Sequence, residues 1–377
     1  MWKIKQKSCN FAVEMRIQCV LHAIEAFAPR TLQEDYDNSG LQVGDTAKDC
    51  TGVLLSLDVT EATVKEASEC GCNLIVSHHP LLFKGIKQIS PASETGRIVL
   101  SAIEKGIAIY SSHTALDNAL GGVSFRMAQK LGMENVKVLQ PQSGKLAKLV
   151  VFVPDDYVKP VSEALFASGA GKIGNYDSCS YQMRGHGSFR ALEDANPFVG
   201  GIGEVHSEPE TRLEVIIPKS KIYAAVSAMI KVHPYEEPAY DIIPLENADA
   251  YAGSGVVGDI ASASLETVLA RLKSVFGTGA IRYCGDAKKP IKRIALCGGS
   301  GAFLTGDAIA AGADLYVSGD FKYHDFTTFA SRIAIADVGH YESEQCTKEI
   351  FKELIERNFP DLAVKMAESD INTIKYF

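Results

Sequence analysis

The sequence has no apolar run approaching the roughly 18 residues that cross a bilayer as a helix, so it offers no candidate membrane span. It has no basic excess either. Its 38 Lys and Arg against 46 Asp and Glu give a formal net charge of -8. That argues against gripping nucleic acid by overall charge, although a local basic patch is not excluded. There is no CxxC pair, and the nine cysteines are odd in number. Cys70 and Cys72 stand too close for a routine disulfide. The pattern suggests free thiols in a reducing cytoplasm rather than a disulfide framework or a zinc site. The N-terminus carries early lysines but no apolar segment behind them, because Glu14 and Arg16 interrupt it. No secretory signal is expected. Met15 reads as a natural start, with residues 1–14 an extension of no structural importance. No P-loop is present, and no Ser-His-Asp arrangement can be argued from spacing.

What remains is an ordinary globular composition, 46% hydrophobic and 22% charged over 377 residues. That length suits two or three domains. One stretch stands out: "LIVSHHPLLFKG", Leu74 to Gly85. Leu74, Ile75 and Val76 read as a short buried strand, and Pro80 cannot extend a sheet ladder. His78 and His79 then lie where a strand ends, the place where open α/β sheets bind ligands. One buried and one solvated histidine would be the plain alternative, and the pair alone does not decide.

The surroundings alternate strand and helix. "GVLLSLD" (Gly52 to Asp58), "NLIVS" and "IAIYSS" (Ile107 to Ser112) read as strands. "VTEATVKEASECG" and "ETGRIVLSAIEKG" read as helices closed by glycine, the first capped by Thr60 in an imperfect capping box. This is βαβ grammar and implies a mostly parallel, helix-covered sheet. The last third repeats it in "RIALCGGSG", "GDAIAAGADLYVSGD" and "RIAIADVGHYESEQ". "GCNLIVS" from Gly71 and "GADLYVS" from Gly312 share four of seven letters at an offset of 241. "IAIYSSHTALD" parallels "IAIADVGHYESE", setting His113 and Asp117 opposite His340 and Glu344. The expected fold is two related α/β halves forming one unit. Between them, strand, helix, two or three strands, helix and strand suggest an inserted α+β domain of the ferredoxin-like type. The expected boundaries are 1–143, 144–248 and 249–377.

The polar residues at the strand ends are His78, His79, His113, Asp117, His340 and Glu344. Imidazole with carboxylate suits zinc, iron, manganese and similar divalent ions. His340 and Glu344, four apart, share one face if their segment is helical. Adjacent residues on a strand point to opposite faces, so His78 and His79 cannot easily hold one ion. Two ions, roughly 3.5–4 Å apart as in hydrolytic dinuclear sites, give each histidine its own. Their charge exceeds that of Asp117 and Glu344, which would acidify a bridging water and attract an anionic substrate. Taken singly, Glu344 reads as a surface ion pair and Asp117 as a turn cap. His324 in "SGDFKYHDF" is a candidate acid or base, and equally an ordinary loop residue. "CGGSGAF" and "DNSGLQVGD" read as tight turns, and "VHPYEEPAYD" as a rigid connector.

The motifs "DNSGLQVG", "SHHPLLFKGI", "HTALDNALGG", "SGDFKYHD" and "GHYESE", in this order, resemble the NIF-three-like family, also labelled GTP cyclohydrolase I type 2 homologues. "GAGKIGNYDSCSY", "GHGSFRAL" and "HPYEEPAYDI" resemble the PII-like insertion of its longer members. The resemblance implies two metal ions on His78, His79, Asp117, His340 and Glu344, with Glu344 between the ions and His113 beside the ligands. It also implies a hexamer. It leaves two functions: a metal-dependent hydrolase acting on a nucleotide or phosphate-containing substrate, or a non-enzymatic metal-binding regulatory assembly that senses a small molecule through its inserted domain.

Overall fold

The computed structural model describes residues 15–377, so the reading of residues 1–14 as an extension, and Cys9, lie outside the described residues. The strands are β1 (Gly40–Val43), β2 (Val53–Ser56), β3 (Leu74–Ser77), β4 (Ala108–Ser111), β5 (Glu134–Gln142), β6 (Leu146–Pro154), β7 (Tyr181–Arg190) and β8 (Val205–Pro218). They continue with β9 (Tyr240–Leu245), β10 (Asp249–Ser264), β11 (Arg282–Cys284), β12 (Pro290–Leu296), β13 (Leu315–Ser318), β14 (Ala334–Asp337) and β15 (Val364–Met366). Two compact units result. One joins the chain up to Val136 to Gly255–Phe377, and the other is Lys137–Ser254. The expected boundaries of 144 and 248 fall short of these because β5 and β10 run through both limits.

In the first unit, one sheet has the order β1-β4-β3-β2-β15 and a second the order β11-β14-β13-β12-β10-β5. β2, β3 and β4 pair in parallel, with β1 antiparallel at their edge. β12, β13 and β14 pair in parallel too, with β11 antiparallel at theirs. Edge, third, second and first strand thus follow the same order in both sheets. Every residue of β2, β3, β4, β13 and β14 is buried. That explains their unbroken apolar runs: strands covered on both faces have no need to alternate. Leu54, Ile75 and Ile109 pack against the helices Glu61–Glu69 and Glu94–Glu104. Val53, Leu55, Val76, Leu296, Val317 and Ala336 share one core with the helix Thr347–Asn358. Each buried Leu, Ile or Val contributes about 1.5–3 kcal/mol relative to exposure.

The helix starts follow local chemistry. The Thr60 hydroxyl accepts from Thr63 N at 3.2 Å, and Thr60 N donates back to the Thr63 hydroxyl at 3.3 Å. The box closes with Thr where Glu is usual, a cap worth about 1 kcal/mol.

The second unit has the sheet order β7-β8-β6-β9, all antiparallel. Its helices Val158–Ala167 and Ile222–Val232 cover one face through Leu149, Val151, Leu213, Val215, Leu165 and Met229. The chain order is strand, helix, two strands, helix, strand. Among the described residues, no helix is long and apolar enough to cross a membrane. The eight described cysteines are free, and the sulfurs of Cys70 and Cys72 stand 3.4 Å apart unbonded.

Candidate metal centre

The ends of β2, β3, β4, β13 and β14 deliver the polar side chains. His78 and His79 follow β3. His113 and Asp117 follow β4, Asp117 closing the helix Thr114–Asp117. The helix His340–Glu344 follows β14. Strict alternation would send His78 and His79 to opposite faces. Instead β3 ends at Ser77, the backbone bends, and the two rings stand 5.1 Å apart. Ser77 and Ser111 fix this bend by donating to the His79 carbonyl at 2.9 and 3.0 Å.

The other four expected ligands converge around Glu344. Its Oε2 lies 3.0 Å from His79 Nε2 and 2.9 Å from His340 Nε2, and these two nitrogens are 3.2 Å apart. Its Oε1 lies 3.6 Å from His78 Nε2, which is 3.7 Å from Asp117 Oδ1. Two groups, His79-His340-Glu344 and His78-Asp117-Glu344, therefore share one carboxylate and use different oxygens of it. A third, His78-His79-His113, brings in His113. His324 does not join them. It is exposed on the helix Tyr323–Phe329, its ring edge-on to Tyr323 at 5.3 Å.

Three aspartates absent from the sequence-based ligand set orient the rings. His79 Nδ1 donates to Asp58 at 2.9 Å, His340 Nδ1 to Asp320 at 2.6 Å, and His113 Nδ1 to Asp37 at 2.9 Å. His78 Nδ1 donates to the Ser112 carbonyl at 3.3 Å. With Nδ1 engaged outward, the Nε2 atoms of His78, His79 and His340 turn inward, the tautomer control typical of metal-bound histidines. Asp37 belongs to the "DNSG" turn and also accepts from the Ser39 hydroxyl at 2.9 Å and from Thr114 N at 3.1 Å. That turn therefore packs against the site. The only signal for Asp58 and Asp320 is an acid two residues past a strand end.

Glycine makes the room. Gly299 has φ of 61°, and a Cβ there would overlap Glu344 Oε1. Gly299 N donates to the Ser343 hydroxyl at 2.9 Å, so the "CGGSG" turn wraps the glutamate.

Burial would push the Glu344 carboxyl up, but His78, His340 and His79 outweigh it and hold the group well below its usual range. Burial pushes His79 and His340 down. The carboxylates around them reverse that, raising His79 to about 10 and His340 to about 9. Asp117 goes up through burial, aided by Glu344 and partly opposed by His78.

The residues fit a divalent ion. His78 Nε2 and Asp117 Oδ1 are buried with no hydrogen-bond partner. Such orphans are costly unless something lies between them. The His79-His340-Glu344 triangle, with edges of 2.9 to 3.2 Å, nearly matches tetrahedral zinc, whose ligand atoms at about 2.0–2.1 Å stand roughly 3.3 Å apart.

The class is that of a two-sheet α/β unit whose strand ends gather histidines and carboxylates that could hold a metal ion. Residues 15–374 match the Duf34/NIF3 (NGG1p interacting factor 3) family, and the chain belongs to that family. It is 38% identical over 347 residues to a GTP cyclohydrolase 1 type 2 homolog of Halalkalibacterium halodurans, covering 91% of this chain and 93% of that one. A protein of the same description from Bacillus subtilis is also 38% identical, over 335 residues, with 88% and 90% covered. Among solved structures, a Bacillus cereus protein related to NIF3 superposes with a TM-score of 0.83 at 32% identity, covering 97% and 99%.

Proposed function

We propose that this protein is a dinuclear divalent-metal hydrolase acting on a nucleotide or another phosphate-containing substrate. The observation that carries the reading is Glu344, which offers one oxygen to each of two histidine groups. His79 and His340 would hold one ion, His78 and Asp117 the other, with Glu344 between them. Two ions there would supply Lewis acidity toward a phosphoryl oxygen and a more acidic water. His113, fixed by Asp37, is the group we assign to hold or pass a proton beside the ligands. Phe83 stands 6.0 Å from His113 and 6.4 Å from Tyr36, edge-on to both. Phe83 and Tyr36 are exposed and offer a shelf for an aromatic ring.

The assembly belongs to the same reading. The matched strand orders and the shared core support two related halves forming one unit, and the β-α-β-β-α-β order of Lys137–Ser254 supports a PII-like insertion. We further propose a cytoplasmic homohexamer, which light scattering at micromolar concentration tests.

The central test is metal content per chain after chelator-free purification, for wild type and Glu344→Gln. Wild type should carry two zinc, iron or manganese ions, and the variant fewer than one. Metal-replete wild type should hydrolyse at least one member of a panel of nucleotides and phosphodiesters, and the variant none. Retention of two ions by the variant with unchanged affinity would sink the assignment.

A further inference from the structure

The sheet of the Lys137–Ser254 unit has one face packed against its helices. The other face is not left flat to solvent, as it is in many small antiparallel sheets. It carries a cavity of about 640 Å³, within the range of small-molecule sites. The register explains it. Phe152 of β6 and Met183 of β7 both lie opposite Arg212 of β8, and Gly185 lies opposite Glu210. A Cβ built on Gly185 meets nothing within 4 Å, so the strand floor is bare there. Phe189, Phe198 and Tyr235 raise the walls, with Tyr235 6.2 Å from each phenylalanine.

One polar group stands out inside these walls. Glu210 is only 8% exposed. Its Oε1 accepts from the Tyr235 hydroxyl at 2.9 Å, while Oε2 lies where a Cβ of Gly187 would be. No cation pairs with it among the described residues. Arg212, which shares the lining, is turned to Glu214 at 2.8 Å. The carboxylate thus has one neutral donor among the described residues and an oxygen left to accept another. The segment that supplies Tyr235 is held in place. His233 Nε2 donates to the Phe152 carbonyl at 3.0 Å, and Tyr235 N donates to His233 Nδ1 at 3.1 Å. Glu236 accepts from Asn196 N at 3.0 Å, tying the covering loop down. The pocket is therefore preformed.

The geometry points to a ligand site in this cavity for a flat nitrogen heterocycle that presents N–H donors, an amino-substituted purine or pteridine ring. The aromatic walls take the faces of the ring, and the Glu210 carboxylate accepts from its N–H edge, as charge-assisted bonds of this kind do. The inference concerns the Lys137–Ser254 unit alone and stands whether or not the strand-end cluster is catalytic.

Calorimetric titration of the full chain tests it. The probes are guanosine, inosine, which lacks the exocyclic amino group, and tetramethylammonium, a cation with no N–H donor. Guanosine should bind saturably, inosine more weakly and tetramethylammonium not at all. Glu210→Gln keeps the shape and the tyrosine bond and should weaken guanosine by about tenfold or more. Gly185→Val should abolish binding by filling the floor. Both variants should keep the wild-type metal content. Should Gly185→Val lose its fold by circular dichroism, Glu210→Gln decides alone. Absence of guanosine binding overturns the proposal, as does tetramethylammonium binding equally well. Binding that survives both variants but is lost on chelation belongs to the metal cluster and overturns it too.

Discussion

Both compact units bury a glutamate against a glycine. Glu344 lies where a Cβ of Gly299 would be, and Glu210 where a Cβ of Gly187 would be. The surroundings then diverge. Glu344 has three imidazoles around it, and two of these are paired with an aspartate as well. Glu210 has one tyrosine hydroxyl and aromatic walls. The same device, a missing side chain that admits a carboxylate, thus serves a site crowded with nitrogen donors in one unit and a cavity walled by aromatic rings in the other. The partners of a buried acid decide its ligand: metal-type donors call for a cation, ring faces call for a ring.

The largest effect should come from spoiling the first cradle without touching a ligand. Gly299→Ala puts a methyl into Glu344 Oε1 and forces alanine to φ of 61°, strained for any residue with a Cβ. Glu344 must shift, and both histidine groups lose the carboxylate they share. We expect metal content to fall as far as in Glu344→Gln, read by elemental analysis, while far-UV circular dichroism stays near wild type. Two tightly held ions in this variant would show that Glu344 is not the shared ligand.

A smaller effect is expected one bond further out. Asp320→Asn keeps the size and suits the positive φ of 58° at that position, since asparagine tolerates the left-handed region. It removes the charge that holds His340 Nδ1. Loss of such a partner weakens metal affinity by about 10- to 100-fold, which competition with a chromogenic chelator measures. An unchanged affinity would mean that the His340 ring is fixed by packing alone.

The two sites differed in how legible they were. The strand ends showed themselves because buried parallel strands are continuous apolar runs and their chemistry follows at once in the chain, as in Ser77-His78-His79. The spacing of His340 and Glu344 required only a helical turn. The aspartates did not show, because an acid after a strand is as common in turns as in sites, and only the fold sets Asp37 against His113. The convergence of His78 and His79 was hidden as well, since it depends on β3 ending at Ser77. The cavity left almost no trace. It arises from cross-strand register, Phe152 and Met183 meeting Arg212, and from a side chain that is absent at Gly185. The connector "VHPYEEPAYD" is anchored through His233 and Glu236, and its Tyr235 and Glu236 also line that cavity.

The finest test of the comparison sets two glycines of one strand against each other. Gly185 and Gly187 sit two apart on β7, on the same face. Neither has a positive φ, so alanine meets no backbone strain at either. At Gly185 the new methyl enters open space. Its effect should come through the unfolded chain, whose freedom it reduces, giving about 0.4–1 kcal/mol of added stability. At Gly187 the methyl overlaps the Glu210 carboxylate. That carboxylate must turn away, its bond from Tyr235 is strained, and the change should destabilise by about 1–3 kcal/mol as a buried acceptor loses its donor. Urea melts followed by a probe confined to the Lys137–Ser254 unit would read both, and metal content should be unchanged in each. If the two variants shift the midpoint equally and in the same direction, the Glu210 side chain is not seated against Gly187, and the likeness between the two buried glutamates fails.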